Sequence, residues 1–169
     1  LEDAVRAGAP ERADAWRTEL VGLYEKRGEH SLALPHVEAL LMHPQPSAEI
    51  LIAAARTFEQ LALNEKALAC FTRLAAQDES NRVSWLQKGL DAAKRMSLPT
   101  AEEEFLRALV AAGAGAKSMD ELIKLLERGS RWEDVLRLYE EQIAFLETRN
   151  AEALTNARAK RAEPPRASM

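Results

Sequence analysis

The sequence is poor in the residues that break helices or cross-link chains. It holds one cysteine, seven glycines and seven prolines in 169 residues, and aromatic residues make up only 5%. A single cysteine cannot form a disulfide within the chain. Few residues are β-branched and no run alternates apolar and polar residues, which argues against strands. The abundance of Ala, Leu, Glu, Arg and Lys indicates an all-α fold.

Other absences concern partners and location. The net charge is −4, and only the stretch ARAKRAEPPRASM is basic, which argues against nucleic-acid binding. No apolar run approaches the length of a transmembrane helix. The opening LEDAVRAG lacks the features of a signal peptide. Since the chain begins with Leu1, we expect a piece of a longer protein, whose own targeting signal would be missing.

The sequence repeats itself every 34 residues without insertion or deletion. Four units result: 14–47, 48–81, 82–115 and 116–149. In each, a small residue precedes a larger one by four positions, so both lie on one helix face. The pairs are Ala33 and Val37, Ala67 and Phe71, Ala101 and Phe105, and Val135 and Tyr139. We expect these pairs, with Trp85 on a second repeating line, to pack the helices together.

These features resemble the tetratricopeptide repeat (TPR) family, whose units place Trp, Leu-Gly and Tyr in a first helix and Ala-x₃-Phe in a second. The segment WLQKGLDAA supplies Trp85 and Gly89. The segment LVGLYEKRGEHSLAL supplies Leu20, Tyr24, Gly28 and Ala33. The resemblance covers 14–149 and departs from the family where Trp and the final Pro are replaced in most units. It implies a right-handed α-solenoid of antiparallel helix pairs.

Breakers and capping residues predict the helix limits. Helices within a unit should be separated at 27–29, 63–64, 97–99 and 129–130, and units should be separated at HPQPS, QDESN and AGAGAKS. Helix starts are predicted at Ser47, Ser80, Thr100 and Ser118, the last two with Glu three residues on. We expect 1–13 to end a preceding repeat, 150–162 to form a separate capping helix, and 163–169 to be a disordered tail.

No catalytic, cofactor or metal site emerges from the sequence, so we expect no enzyme. Cys70 lies in mid-helix beside a packing residue, which favours a packed thiol over a reactive one. His36 and His43 share a helix but lie about 10 Å apart along its axis, too far to hold one metal ion. The acidic runs at 102–104 and 140–141 are typical of solvated helix faces, and GAGAKS lacks the spacing of a phosphate loop.

The resemblance also implies which residues line a concave face. In the TPR family these are positions 2, 5, 9 and 12 of each first helix. Here they are Ala15, Thr18, Gly22 and Glu25; Glu49, Ile52, Arg56 and Glu59; Val83, Leu86, Leu90 and Ala93; and Lys117, Asp120, Lys124 and Glu127. Because they include no Asn, and their Lys residues lie only in the last unit, we expect no carboxylate clamp.

Four of these residues, Ile52, Val83, Leu86 and Leu90, predict an apolar groove, bordered by Arg56 and Lys124. Such a groove suits a partner helix or an extended peptide. The alternative is that a neighbouring helix covers part of the band.

The function that follows is a non-enzymatic scaffold holding a protein partner in a larger assembly. The composition favours a bacterial source. Long degenerate TPR arrays that resemble this one often belong there to cell-envelope machines such as exopolysaccharide exporters, and this resemblance favours the periplasm over the cytoplasm. One alternative is a regulatory or targeting segment of a multidomain enzyme. Another is weak end-to-end self-association through the open ends of the repeat array.

Overall fold

The fold is entirely helical in the part of the chain that the computed structural model describes, residues 10–162, with side chains described at 13–152. Eight α-helices follow one another there. They are α1 (Pro10–Arg27), α2 (His30–Leu41), α3 (Ala48–Gln60), α4 (Asn64–Gln77), α5 (Arg82–Arg95), α6 (Pro99–Ala111), α7 (Ala116–Arg128) and α8 (Trp132–Ala162). The predicted all-α fold is confirmed.

The helices pack in consecutive pairs. The chain divides into two compact units, residues 1–119 and residues 120–169. Within the first, each helix from α1 to α5 packs against the next, and α1 also contacts α3. The first helices of the first two pairs are therefore neighbours. The second unit holds most of α7 and all of the described α8.

One type of turn closes the first helix of all four described pairs. A residue with a left-handed backbone stands just after the helix, and its φ is 71° at Gly28, 54° at Ala62, 55° at Ser97 and 55° at Ser130. The amide that follows donates to the carbonyl five residues earlier, at 2.8–3.0 Å. This is the Schellman arrangement that satisfies the last carbonyls of a helix. A break lies at or beside each of the four positions predicted within units, although Asn64 and Pro99 already belong to the helices that follow.

The predicted helix start at Ser47 is confirmed. Its backbone is extended, and its Oγ accepts a hydrogen bond from the Ile50 amide at 3.4 Å. At Ser80 the prediction is wrong, because Asp78 performs the capping. The Asp78 carboxylate accepts from the Asn81 amide at 3.1 Å and closes a short 3₁₀ turn, Glu79–Asn81, ahead of α5.

The capping boxes predicted at Thr100 and Ser118 are also wrong. Helix α6 begins at Pro99, because a proline ring holds the backbone in the helical range at the first position. Helix α7 begins at Ala116, directly after Gly115, so Ser118 lies inside the helix and is buried. Both residues match the capping pattern but come two and three positions after the residues that precede the helices, Leu98 and Gly115.

The expected ends of the repeat array need revision. Helix α1 begins at Pro10, so residues 10–13 belong to the first pair and not to a preceding unit. Helix α8 runs without a break over 31 residues, so the separate capping helix predicted at 150–162 does not exist. The predictions for residues 1–9 and 163–169 lie outside the described residues.

The repeated small-and-large pairs are buried in the first two units. Ala33, Val37, Ala67 and Phe71 all belong to the core. In the third unit Phe105 is buried and Ala101 is half-buried. Phe105 lies directly over Gly89, where an added Cβ would overlap its ring.

The fourth pair differs, because Val135 is buried but Tyr139 is 47% exposed. The expectation that Tyr139 packs inside the protein is therefore wrong. Phe71 lies on a helix that a following helix, α5, covers, whereas no helix follows α8 in the described part of the chain.

Candidate functional site

A cleft of about 260 Å³ opens between α3 and α5, the first helices of the second and third pairs. Its floor is apolar, since it is formed by Ile52, Ala55, Phe71 and Trp85. Its rim is charged and comprises Arg56, Glu59, Lys88, Asp91 and Arg95. An apolar floor within a charged rim is the usual make-up of a site that binds an extended peptide or a single helix.

The indole of Trp85 is held in place from two sides. Its Nε1–H donates to a carboxylate oxygen of Asp78 at 3.1 Å. The ammonium of Lys88 lies 4.1 Å from the centre of the indole ring, which is a cation–π contact. Trp85 therefore presents a fixed aromatic surface to the cleft.

Asp78 is in turn held by the loop ahead of α5. It accepts hydrogen bonds from Trp85, from the Asn81 side chain at 2.9 Å and from the Asn81 amide. The bond from Trp85, followed by those from Asn81, lowers the pKa of Asp78 below its ordinary value. The carboxylate thus stays ionised in neutral and mildly acidic solution.

The rim has a surplus of positive charge. Arg95 pairs with Glu59 at 2.7 Å, which ties α5 to α3 and neutralises both groups. Asp91 accepts from Gln87 on its own helix at 3.1 Å. Arg56 and Lys88 form no ion pair with any described residue. These two cations remain available to an acidic group on a ligand.

A second cleft, of about 150 Å³, lies between α1 and α3. Val21, Val37 and Leu40 form its apolar wall, while Glu25 and Glu49 give it a negative charge. One carboxylate oxygen of Glu25 is buried and has no hydrogen-bond partner among the described residues. The two clefts lie on either side of α3 and carry opposite charge.

The concave face predicted from the register is found in part. Seven of its residues line the two clefts: Thr18, Gly22, Glu25, Glu49, Ile52, Arg56 and Glu59. Among the proposed groove residues, Ile52 and Arg56 therefore lie together as expected. Val83 is exposed but lines neither cleft, and Lys124 is exposed on α7.

Leu86 and Leu90 do not line an open groove. Their exposed fractions are 4% and 1%, and Ala93, one helical turn on, is fully buried. Apolar side chains at this spacing form one stripe of a helix, and burial of that stripe is what stabilises it. One alternative predicted from the sequence is that part of the apolar groove is covered. That alternative is correct for Leu86 and Leu90.

Sequence reasoning missed the face of α5 that borders the cleft. Trp85, Lys88, Asp91 and Arg95 follow one another at intervals of three or four residues. That spacing places them on one side of a helix. An aromatic residue among mixed charges at such intervals is a signal that could have identified this face.

A third cleft, of about 520 Å³, lies between the second helices α4 and α6. Leu68, Leu98, Pro99 and Phe105 line it, and its acidic residues are Glu65 and Glu104. It is the largest of the three by volume. It has no cation on its rim and no hydrogen-bonded aromatic residue, and none of its residues was predicted to bind a partner.

Cys70 is 3% exposed, as expected for a packed residue. Burial raises the pKa of its thiol to about 11, although the charge of Arg73 opposes the shift. The thiol is therefore protonated at neutral pH and is a poor nucleophile.

The described residues contain no group of three or more side chains suited to hold a metal ion. None of their helices combines the length and the apolar character that crossing a membrane requires.

Comparisons with family models, with curated proteins and with solved structures found no match to this chain. The resemblance to the TPR family therefore rests on the residues and on the helix pairs described above.

Proposed function

We propose that this chain is a non-enzymatic scaffold built as a TPR-like, right-handed α-solenoid, and that it holds a peptide segment of a protein partner within a larger assembly. The observation that carries the proposal is the pair of clefts on either side of α3. Residues that the repeat register assigns to the concave face line both of them.

The charges of the clefts define the peptide. In the α3–α5 cleft, an apolar side chain would lie on Ile52 and Trp85, with an adjacent carboxylate near Arg56 and Lys88. In the α1–α3 cleft, a basic residue would meet Glu25 and Glu49. The best ligand is an extended segment that carries an apolar anchor beside an acidic residue and a basic residue further along. Complementary charge of this kind selects the partner and its direction.

Selection from a displayed peptide library on the purified chain tests this proposal. The selected peptides should share an apolar residue next to Asp or Glu. Their affinity is then measured by fluorescence anisotropy for Lys88→Glu and Arg56→Glu. Each reversal should weaken binding about tenfold, which corresponds to about 1.4 kcal/mol, because an attractive contact becomes a repulsive one.

Lys94→Glu is the matched control, because Lys94 is exposed on the same helix but does not line the cleft. It makes the same change of charge and should alter the affinity less than twofold. Peptides that bind the Lys88→Glu, Arg56→Glu and native chains equally well would refute the proposed site.

A further inference from the structure

Helix α8 carries a stripe of large apolar side chains on its surface. Five residues form this stripe: Trp132, Leu136, Tyr139, Ile143 and Leu146, with exposed fractions between 47% and 63%. They follow one another at alternating intervals of four and three residues, the heptad spacing of helices that pair side by side. The face of α8 that carries Val135 and Leu138 is buried, and the exposed stripe lies beside it, with Val135 at their common border.

The repeat register gives the stripe a role. Leu136, Tyr139 and Ile143 occupy the places that Leu68, Phe71 and Ala75 occupy in α4. Those three α4 residues are buried, in a helix against which α5 packs. The stripe is thus built like a surface that receives another helix, and no helix of the described part of the chain covers it.

The size of the stripe also indicates a partner. A large side chain presents about 200 Å², so five of them at half exposure leave on the order of 500 Å² of apolar surface. Soluble monomers rarely expose a contiguous apolar patch of more than a few hundred Å². With its charged borders, the stripe approaches the roughly 800 Å² that each partner contributes to a stable interface.

The order of residues in the heptads points to the occupant. Leu136, Ile143 and Asn150 stand at the first core position of successive heptads, and Tyr139 and Leu146 stand at the second. The heptad of Ile143 and Leu146 has Ile at the first position and Leu at the second, the combination that favours two parallel strands, and a single Asn at the first position, Asn150, fixes their register. A symmetric pair of identical subunits is also the commonest form of association.

Charge selects the direction of pairing. Glu133, Glu140 and Glu147 follow one another every seven residues along one border of the stripe. In an antiparallel pair these glutamates would face those of the second copy, and the repulsion would weaken the pair. In a parallel pair they face the other border, where Val135, Gln142 and Arg149 stand and no residue is acidic.

We propose that two copies of this chain associate through the exposed stripe of α8 as a parallel, in-register pair of helices. The association involves neither of the clefts beside α3, so it stands apart from peptide binding. It also differs from end-to-end stacking of repeat arrays, since the same surface is used on both copies.

Sedimentation equilibrium of the full chain, from low to several hundred micromolar, tests the pairing. The native chain should form dimers. Ile143→Glu should weaken them about a hundredfold, because it places a charge at the centre of the apolar contact. Ala144→Glu introduces the same side chain at the next position, which is exposed but lies off the stripe, and should leave the dimer intact.

Oxidative cross-linking tests the direction. In a Cys70→Ala background, chains with Asn150→Cys should form a disulfide-linked dimer, because position 150 faces its own copy in a parallel pair. Chains with Ala144→Cys should not. The proposed surface is overturned if dimers persist in Ile143→Glu, or if Ala144→Glu weakens them equally. The parallel register is overturned if dimers fail to cross-link through position 150. A chain that stays monomeric throughout overturns the proposal in favour of a helix from another protein.

Discussion

Phe71 and Tyr139 occupy the same place in the repeat, yet the first is buried and the second is half exposed. Phe71→Ala should lower the free energy of unfolding by about 3–5 kcal/mol, because it leaves a cavity in the core. Tyr139→Ala should cost less than about 1 kcal/mol in dilute solution. Urea unfolding followed by circular dichroism measures both. Equal losses from the two variants would mean that Tyr139 is packed inside the monomer.

Gly89 shows how closely the two helices of the third pair approach. Alanine at this position would gain about 1 kcal/mol from helix propensity, but its Cβ would overlap the Phe105 ring. Since both residues are buried, Gly89→Ala should give a net loss of about 1–2 kcal/mol.

The Phe105→Leu background provides a check, because the smaller side chain leaves room for the added methyl group. There the loss caused by Gly89→Ala should shrink or reverse. An unchanged loss in that background would point to a cause other than the Phe105 contact.

The candidate site could be predicted only in part. The repeat register selects one face of each first helix, and that face does not line a cleft in every helix. Ile52 and Arg56 were found since α3 turns the expected face towards a cleft. On α5 the expected face holds Leu86 and Leu90, and their burial turns Trp85 and Lys88 towards the cleft instead. The direction in which each stripe packs depends on neighbouring helices, which a sequence pattern does not specify.

The turn that closes each first helix tolerates glycine better than any other residue. At Gly28, an added Cβ would meet nothing within 4 Å, so the effect of Gly28→Ala is conformational alone. The left-handed backbone should cost the variant about 1 kcal/mol of stability.

The opposite change, Ala62→Gly, relieves the same backbone in the second pair. It should stabilise the protein by up to about 1 kcal/mol. The greater conformational entropy of glycine in the unfolded chain reduces this gain. Thermal unfolding of the two single variants, with Gly22→Ala in mid-helix as the reference for glycine removal, measures both effects. A stabilising Gly28→Ala would contradict the role of the turn.

The predicted helix ends agree with the structure where a residue that favours loops interrupts the sequence. They disagree where the end was placed only by the repeat length of 34 residues. The turns at Gly28 and Ser130 carry residues that favour loops, and the helices end there. From Trp132 to Ala162 the sequence has neither glycine nor proline. Without a breaker, α8 continues past residue 149, where a unit of 34 residues would have ended.

Stability should differ along the whole chain, because burial does. In the first unit, α3 and α4 have helices packed on both sides. In α8, by contrast, all residues from 143 to 152 are exposed. Amide hydrogens open through local fluctuations whose free energy follows the amount of buried contact. Backbone amides of α3 and α4 should therefore exchange slowest, and those of 143–152 many times faster.

Hydrogen exchange read by mass spectrometry measures this gradient. The Ile143→Glu variant serves as the sample, since pairing through α8 would otherwise protect those amides. Uniform exchange across α3, α4 and the distal half of α8 would show that the chain opens as a single cooperative unit.

The single thiol has a practical consequence. Cys70 is the only cysteine in the chain, and it is buried in α4. An alkylating reagent can reach it only when α4 opens, so the native protein carries a built-in reporter at the centre of its first unit. The modification rate is measured at increasing reagent concentration, and it gives the rate at which α4 opens. The measurement needs no added label and no substitution.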